Sequence, residues 1–326
     1  VSRKWIDTQN VLNFVYQFFF LLLFFKLLYH MKLKGYLLGL LSSISYGLIP
    51  LFILPLKKVG FSMDTTLFYR FLFSASILGC YLLIKQKSIK VEPKQIGILV
   101  LLGLFYGISS DSLFIAYDYL NAGVASTLLF IYPLIVAIIM AIFFKEKLTF
   151  ASILAIVFTL VGVVLLSIKN GEFNLNLIGL SIVFLSALGY ALYIVTVNKS
   201  NVKNLNGMVL TFYSFLITSI YYGTKLIIGK GDFAIPSLET GINIGIFALV
   251  TTVISSLALV YAIKYIGSTP TSILGAFEPV VAVSISVLLF GEYFSMNLAF
   301  GILLIIFGVM LNIISDAYAS KKVQTL

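Results

Sequence analysis

Three ionisable side chains fall well inside apolar stretches of this 326-residue chain: Arg70, Asp111 and Glu278. A charge placed in lipid costs about 2.5–3.5 kcal/mol on insertion scales, so each needs a reason to be there. Glu278 lies nine residues into its stretch. At a rise of 1.5 Å per residue it sits about 13 Å deep, near the middle of a hydrocarbon core about 30 Å thick. Pro279 follows it directly. A proline removes a backbone donor and frees a carbonyl one turn back, so a helix kink is expected beside the carboxylate, and another at Pro133. A buried acid at a midplane kink suits a substrate or proton site. The structural alternative is a carboxyl that pairs with Arg70, or stays neutral and hydrogen-bonded, and only locks helices together.

Arg70 lies about one and a half turns from a helix end, where it snorkels, pairs locally or meets an anionic group. Asp111 belongs to the polar patch Tyr106-Gly-Ile-Ser-Ser-Asp-Ser112. Serines at that spacing more often help helices pack than bind solute, and Asp111 is expected to line a cavity or to serve packing. Tyr46, Tyr106, Tyr132 and Tyr190 are candidates for an aromatic lining. With 19 Tyr and 29 Phe in the chain, a core or interfacial place is the plainer reading for any one of them except Tyr132, which an internal repeat places opposite Glu278. His30 and Cys80 are the only residues of their kinds. A metal centre built from His or Cys clusters, a CxxC site and an internal disulfide are therefore not expected. No GxxxxGK[ST] loop, HExxH or GxSxG elbow occurs, so no enzyme and no cofactor is expected.

The elements that must hold these groups follow from composition. The chain is 60% hydrophobic and 10% charged, with mean hydropathy +1.09. Soluble domains carry roughly 25% charged residues, so this is read as an all-α protein of the membrane, since an isolated apolar segment satisfies its backbone in lipid only as a helix. The net charge of +10 is read as cytoplasmic loop lysines and not as nucleic-acid affinity. Ten spans are expected, near 35–55, 65–84, 96–117, 122–143, 150–168, 177–197, 207–228, 242–263, 269–290 and 296–315.

The chain also repeats itself. Ala116 to Thr149 aligns without a gap on Ala262 to Ser295 at an offset of 146, placing Tyr119 on Tyr265, Pro133 on Pro279 and Glu146 on Glu292. The match continues to Gly162 on Gly308, both read as helix-packing positions. Earlier spans match at an offset of 144: Tyr46 on Tyr190, and Phe68–Leu72 on Phe212–Leu216. Each half then holds five helices. Five is odd, so the second half enters the membrane from the opposite side as an inverted repeat. Alternating the loops puts 13 lysines on one side and 5 on the other, which assigns Lys32, Lys34 and the carboxyl end to the cytoplasm. Glu146 is then cytoplasmic and Glu292 external, as caps or gate contacts. One difference stands out: Tyr132 precedes the shared proline in the first copy, and Glu278 precedes it in the second.

The expected boundaries are 1–30, a non-native or dispensable extension; 31–170 and 171–317, the two five-helix repeats; and 318–326, a cytoplasmic tail. The run Val11–Phe25 is short, is broken by Asn13 and Gln17 and has no repeat partner, and Met31-Lys-Leu-Lys-Gly reads as a bacterial start. A signal peptide is the rival, but a small-residue cleavage site is lacking.

Two copies of A-x-x-Y…P-[LV]-[IV]…E-x-[LF]-[TS]…G-V, at Ala116–Val163 and Ala262–Val309, resemble the EamA-type domain of the drug/metabolite transporter superfamily. Glu278-Pro279-Val280 and Arg70 within Phe68–Leu72 fit the same resemblance, which covers about residues 35–315. It implies ten helices in an inverted five-plus-five repeat, with the third, fourth, eighth and ninth lining a central cavity. It implies alternating-access transport of small metabolites, often export of amino acids or related compounds, with Asp111, Tyr132 and Glu278 in the cavity. Partners would be a small-molecule substrate, the bilayer of a bacterial cytoplasmic membrane and a homodimer mate. The rival readings are an uncoupled facilitator with a structural Glu278, a lipid-acting membrane enzyme and a non-transporting sensor.

Overall fold

The computed structural model describes residues 31–58, 60–116, 118–120, 125, 128–167, 176–290 and 296–324. The 1–30 segment, Glu292 and Lys169 lie outside these. Every regular element among the described residues is helical. In chain order they are α1 (Met31–Gly47), α2 (Ile49–Lys58), α3 (Met63–Ile84), α4 (Pro93–Ala116), α5 (Tyr132–Phe144), α6 (Phe150–Ser167) and α7 (Leu177–Lys199). After a 3-10 turn at Asn201–Asn204 come α8 (Gly207–Ile228), α9 (Leu238–Phe247), a π-helical segment Ala248–Ile254, α10 (Ser255–Ile266), α11 (Ser268–Gly275), α12 (Phe277–Phe290) and α13 (Met296–Gln324). The expected tail from 318 continues α13 as helix up to Gln324.

Five described stretches are long and apolar enough to cross a membrane: Lys32–Ile53, Met63–Ile84, Pro93–Ala116, Leu177–Lys199 and Leu238–Ile266. Tyr132–Phe144, Phe150–Leu165 and Ala299–Leu311 are shorter apolar helices. Local chemistry sets several starts. The Asn176 side chain accepts from Ile178 N at 2.9 Å and opens α7; Asn206 does the same for Met208 N and α8. Such caps satisfy amide donors that the first helical turn leaves free.

The most extensive packing joins the two halves. α6 lies along α13, α3 along α8, α4 along α7 and α1 along α10. The repeat maps α3 to α8 and α6 to α13, and it exchanges the α1–α10 pair with the α4–α7 pair. The contacts therefore follow a pseudo-two-fold relation, and neither half buries its apolar faces alone. The α6–α13 crossing shows the relation in detail. A Cβ on Gly162 would come 2.7 Å from the Gly301 carbonyl, and one on Gly308 would come 2.9 Å from the Ala155 carbonyl. Gly301 and Ala155 are themselves repeat partners, so both glycines permit the same close backbone approach.

Candidate functional site

The two prolines mark helix starts rather than bends within a helix. α11 ends at Gly275, Ala276 intervenes, and α12 begins at Phe277 with Glu278 and Pro279 in its first turn. In the other copy, α5 begins at Tyr132 with Pro133 beside it, after a turn in which Ile131 N donates to the Leu128 carbonyl at 3.1 Å. Proline is tolerated in a first turn because its missing N–H would have no intrahelical partner there. The expected kinks are thus helix interruptions, and they put Glu278 at the positive end of the α12 dipole.

The two interruptions meet. A Cβ on Gly275 would lie 1.6 Å from the Tyr132 hydroxyl and 2.9 Å from its Cζ. Tyr132 can lie across the break only because Gly275 has no side chain. From there an aromatic chain runs inward. The rings of Tyr132 and Tyr190 are 4.8 Å apart and edge-on; Tyr190 and Tyr106 are 6.1 Å apart; Tyr106 and Tyr193 are 5.2 Å apart.

Arg70 projects from α3 into this region and is 2% exposed. Its Nε donates to Thr252 Oγ1 at 2.6 Å, and its guanidinium carbon lies 4.7 Å from the centre of the Phe247 ring and 5.3 Å from that of Tyr46. Glu278 is within electrostatic range of Arg70, Tyr46, Tyr132 and Tyr190. Neither Arg70 nor Glu278 forms an ion pair with a described residue. Glu278, Tyr46 and Tyr190 keep partial exposure, whereas Arg70, Tyr106, Tyr132 and Thr252 are buried. Of the seven candidate site residues, six are gathered here.

Asp111 is the seventh, and it belongs to a different cluster. Its Oδ2 accepts from the Tyr221 hydroxyl at 2.8 Å and its Oδ1 pairs with Lys225 Nζ, which also reaches Asp64 Oδ1 at 3.0 Å. That cluster ties α3, α4 and α8 together. A second polar junction joins the opposite ends of the helices. Glu146 accepts from Thr269 Oγ1 at 3.2 Å and lies 3.9 Å from Lys199 Nζ, while Asn198 Nδ2 donates to Ser268 Oγ at 3.0 Å. No group of three His, Cys, Asp or Glu able to hold a metal ion occurs among the described residues.

The repeat organises the central site. Tyr46 pairs with Tyr190, Tyr106 with Thr252, Tyr132 with Glu278, and Arg70 with the buried Ser214. Thr252 was not legible from its own surroundings, but shifting Tyr106 by the repeat offset finds it. The π-helical turn that carries Thr252 has an ordinary α-helical image in α4. Such turns are frequent at functional sites. Phe247, Tyr193 and Gly275 carried no sequence signal beyond being apolar or small. The distance in sequence of Lys225 from Asp64 and Asp111 hides that cluster from the sequence.

Comparison with known proteins fits this architecture. The model of the EamA-like transporter family matches residues 33–168 and 177–314. An uncharacterized transporter of Clostridium kluyveri is 28% identical over 307 residues, covering 89% of this chain and 97% of that protein. The uncharacterized transporter YdfC of Bacillus subtilis is 26% identical over 242 residues, covering 72% and 76%. A solved crystal structure superposes with a TM-score of 0.74 at 17% identity, over 85% of this chain and 95% of the other, a likeness of fold alone.

Proposed function

We propose a secondary transporter of small organic solutes: the chain belongs to the EamA-like transporter family, and its central site has the composition of a solute-binding and proton-handling centre. Ten helices in two inverted sets of five would carry it across the cytoplasmic membrane of a bacterium, with Met31 and the carboxyl end inside. Small metabolites such as amino acids or drug-like compounds would move outward by alternating access, without enzymatic chemistry. The observation that carries this reading is the meeting of two interrupted helices, one opening on Tyr132 and the other on Glu278. Interrupted helices at a repeat interface present helix ends and unpaired backbone groups to solute, in a place where lipid cannot reach them.

Glu278 is the group that couples flux to protons in this reading. It alternates between protonated and ionised forms as access alternates, and its repeat partner Tyr132 shows that the scaffold itself does not need an acid there. The uncoupled facilitator remains as a second reading because Arg70 lies within electrostatic range of Glu278. Purified protein in liposomes, screened against amino acids and drug-like compounds with and without a proton gradient, separates the two. Glu278→Gln is expected to fold and to lose gradient-driven flux. Unchanged pH-dependent transport by that variant would refute proton coupling. A variant that is unstable yet turns over normally per folded molecule would favour the facilitator.

A further inference from the structure

We infer that Arg70 forms the anion subsite of this centre and that the solute it takes is an organic monocarboxylate with an apolar or aromatic body. The inference deepens the transport reading given above and rests on it.

The geometry of the guanidinium carries the argument. Its Nε is committed to Thr252, and Nη2 is buried with no hydrogen-bond partner among the described residues. A buried donor left unmade is costly, more so on a charged group. Fixing Nε also fixes the plane of the fork and leaves the Nη edge, with Nη2 unpaired, to meet a ligand. That edge is the shape a carboxylate matches with two parallel hydrogen bonds. The guanidinium lies over the rings of Phe247 and Tyr46, which hold the cation without neutralising it.

Charge selects among anions. Arg70 is the one cation among the described residues gathered around it, and Glu278, within electrostatic range, adds a potential negative charge. One guanidinium balances one carboxylate. A phosphate ester with nearly two charges would leave excess charge in a site of low dielectric. Thr252 comes from the π-helical turn of the second half and Arg70 from α3 of the first. A carboxylate held on Arg70 would therefore bear on the contact between the halves. The partly exposed rings of Tyr46 and Tyr190 would receive the apolar body of the solute.

Three probes differing in one group each test this: L-phenylalanine, 3-phenylpropionate, which lacks the amine, and 2-phenylethylamine, which lacks the carboxylate. Binding to the purified full-length chain would be read by thermal stabilisation and calorimetry, and flux by counterflow in liposomes. The two carboxylates are expected to bind at least about tenfold more tightly than the amine, and Arg70→Gln is expected to remove that margin. Should Arg70→Gln fail to fold, Arg70→Lys keeps the charge without the fork, and Thr252→Val frees Nε. Each is expected to weaken carboxylate binding about tenfold or less while leaving amine binding unchanged. Equal binding of carboxylates and amine, preference for the amine, an equal loss for every probe in the Arg70 variants, or no binding of either carboxylate overturns the subsite. Binding without counterflow upholds the subsite and refutes transport. Counterflow without carboxylate preference does the reverse.

Discussion

Substituting Gly275 by alanine attacks the point where the two interrupted helices touch. The added methyl would lie 1.6 Å from the Tyr132 hydroxyl, far inside van der Waals contact. Tyr132 cannot simply swing aside, because it is 3% exposed and its ring packs edge-on against Tyr190 at 4.8 Å. Overpacking of this kind costs about 1–3 kcal/mol. Removing the hydroxyl with Tyr132→Phe deletes the 1.6 Å overlap and leaves the 2.9 Å approach to Cζ, a residual a small shift can absorb. Tyr132→Phe alone keeps the ring and its packing and should cost less than about 1.5 kcal/mol. The double variant should then be more stable than the sum of the single effects by about 1–2 kcal/mol, well above the roughly 0.3–0.5 kcal/mol scatter of independent sites. Unfolding free energies of the four proteins, purified in one detergent and titrated with denaturing surfactant, complete the cycle. Additive effects would refute the contact, and with it the claim that the turn ahead of α5 and the break between α11 and α12 close on each other.

The charged cluster at Lys225 should respond unevenly. The Asp111 side chain is 12% exposed while those of Asp64 and Lys225 are 38% and 34% exposed, so Asp64→Asn should cost less than about 1 kcal/mol. Lys225→Met strands a nearly buried carboxylate and should cost about 1–3 kcal/mol, largely recovered by adding Asp111→Asn; equal costs for Asp64→Asn and Lys225→Met would contradict this. The inverted topology can be tested by labelling. In a Cys80→Ser background, Glu292→Cys should react with an impermeant maleimide in intact cells and Glu146→Cys only in inside-out vesicles. Labelling of both from the same side would end the inversion argument.

The helical, two-repeat nature of the chain was legible because it rests on features written locally: apolar runs and a gapless internal match. Glu278 was legible for the same reason, as an acid where its image has Tyr132. The interruptions were half legible. Pro133 and Pro279 announced a disturbance, but proline chemistry alone does not distinguish a bend from a helix start, and Gly275 opposite Tyr132 settles it only in three dimensions. Asp111 was an apolar-segment acid like Glu278, yet its partners Lys225 and Tyr221 lie more than a hundred residues away. No periodicity connects such distant positions, so neither the cluster nor its separateness from the tyrosine site was readable.

The asymmetry at the centre and the asymmetry at the ends have different consequences for an inverted repeat. Exchanging the conformations of two such halves turns a site open to one side into a site open to the other. Groups on the pseudo-two-fold relation are used in both orientations, so one acid and one guanidinium suffice where a symmetric site would carry two of each. Two Glu278-like acids would repel across the centre, and two Arg70-like cations would do the same. Tyr132 and Ser214 are the uncharged images that avoid this. Groups away from the centre would be engaged in one orientation only. Asp64, Asp111 and Lys225 form a network, whereas their images Met208, Leu257 and Tyr81 carry no charge. In the proposed inverted repeat, one acid and one guanidinium at the centre with unequal junctions at the two ends would give the two orientations different energies. A carrier built so would have a preferred resting side before any solute or proton gradient acts on it.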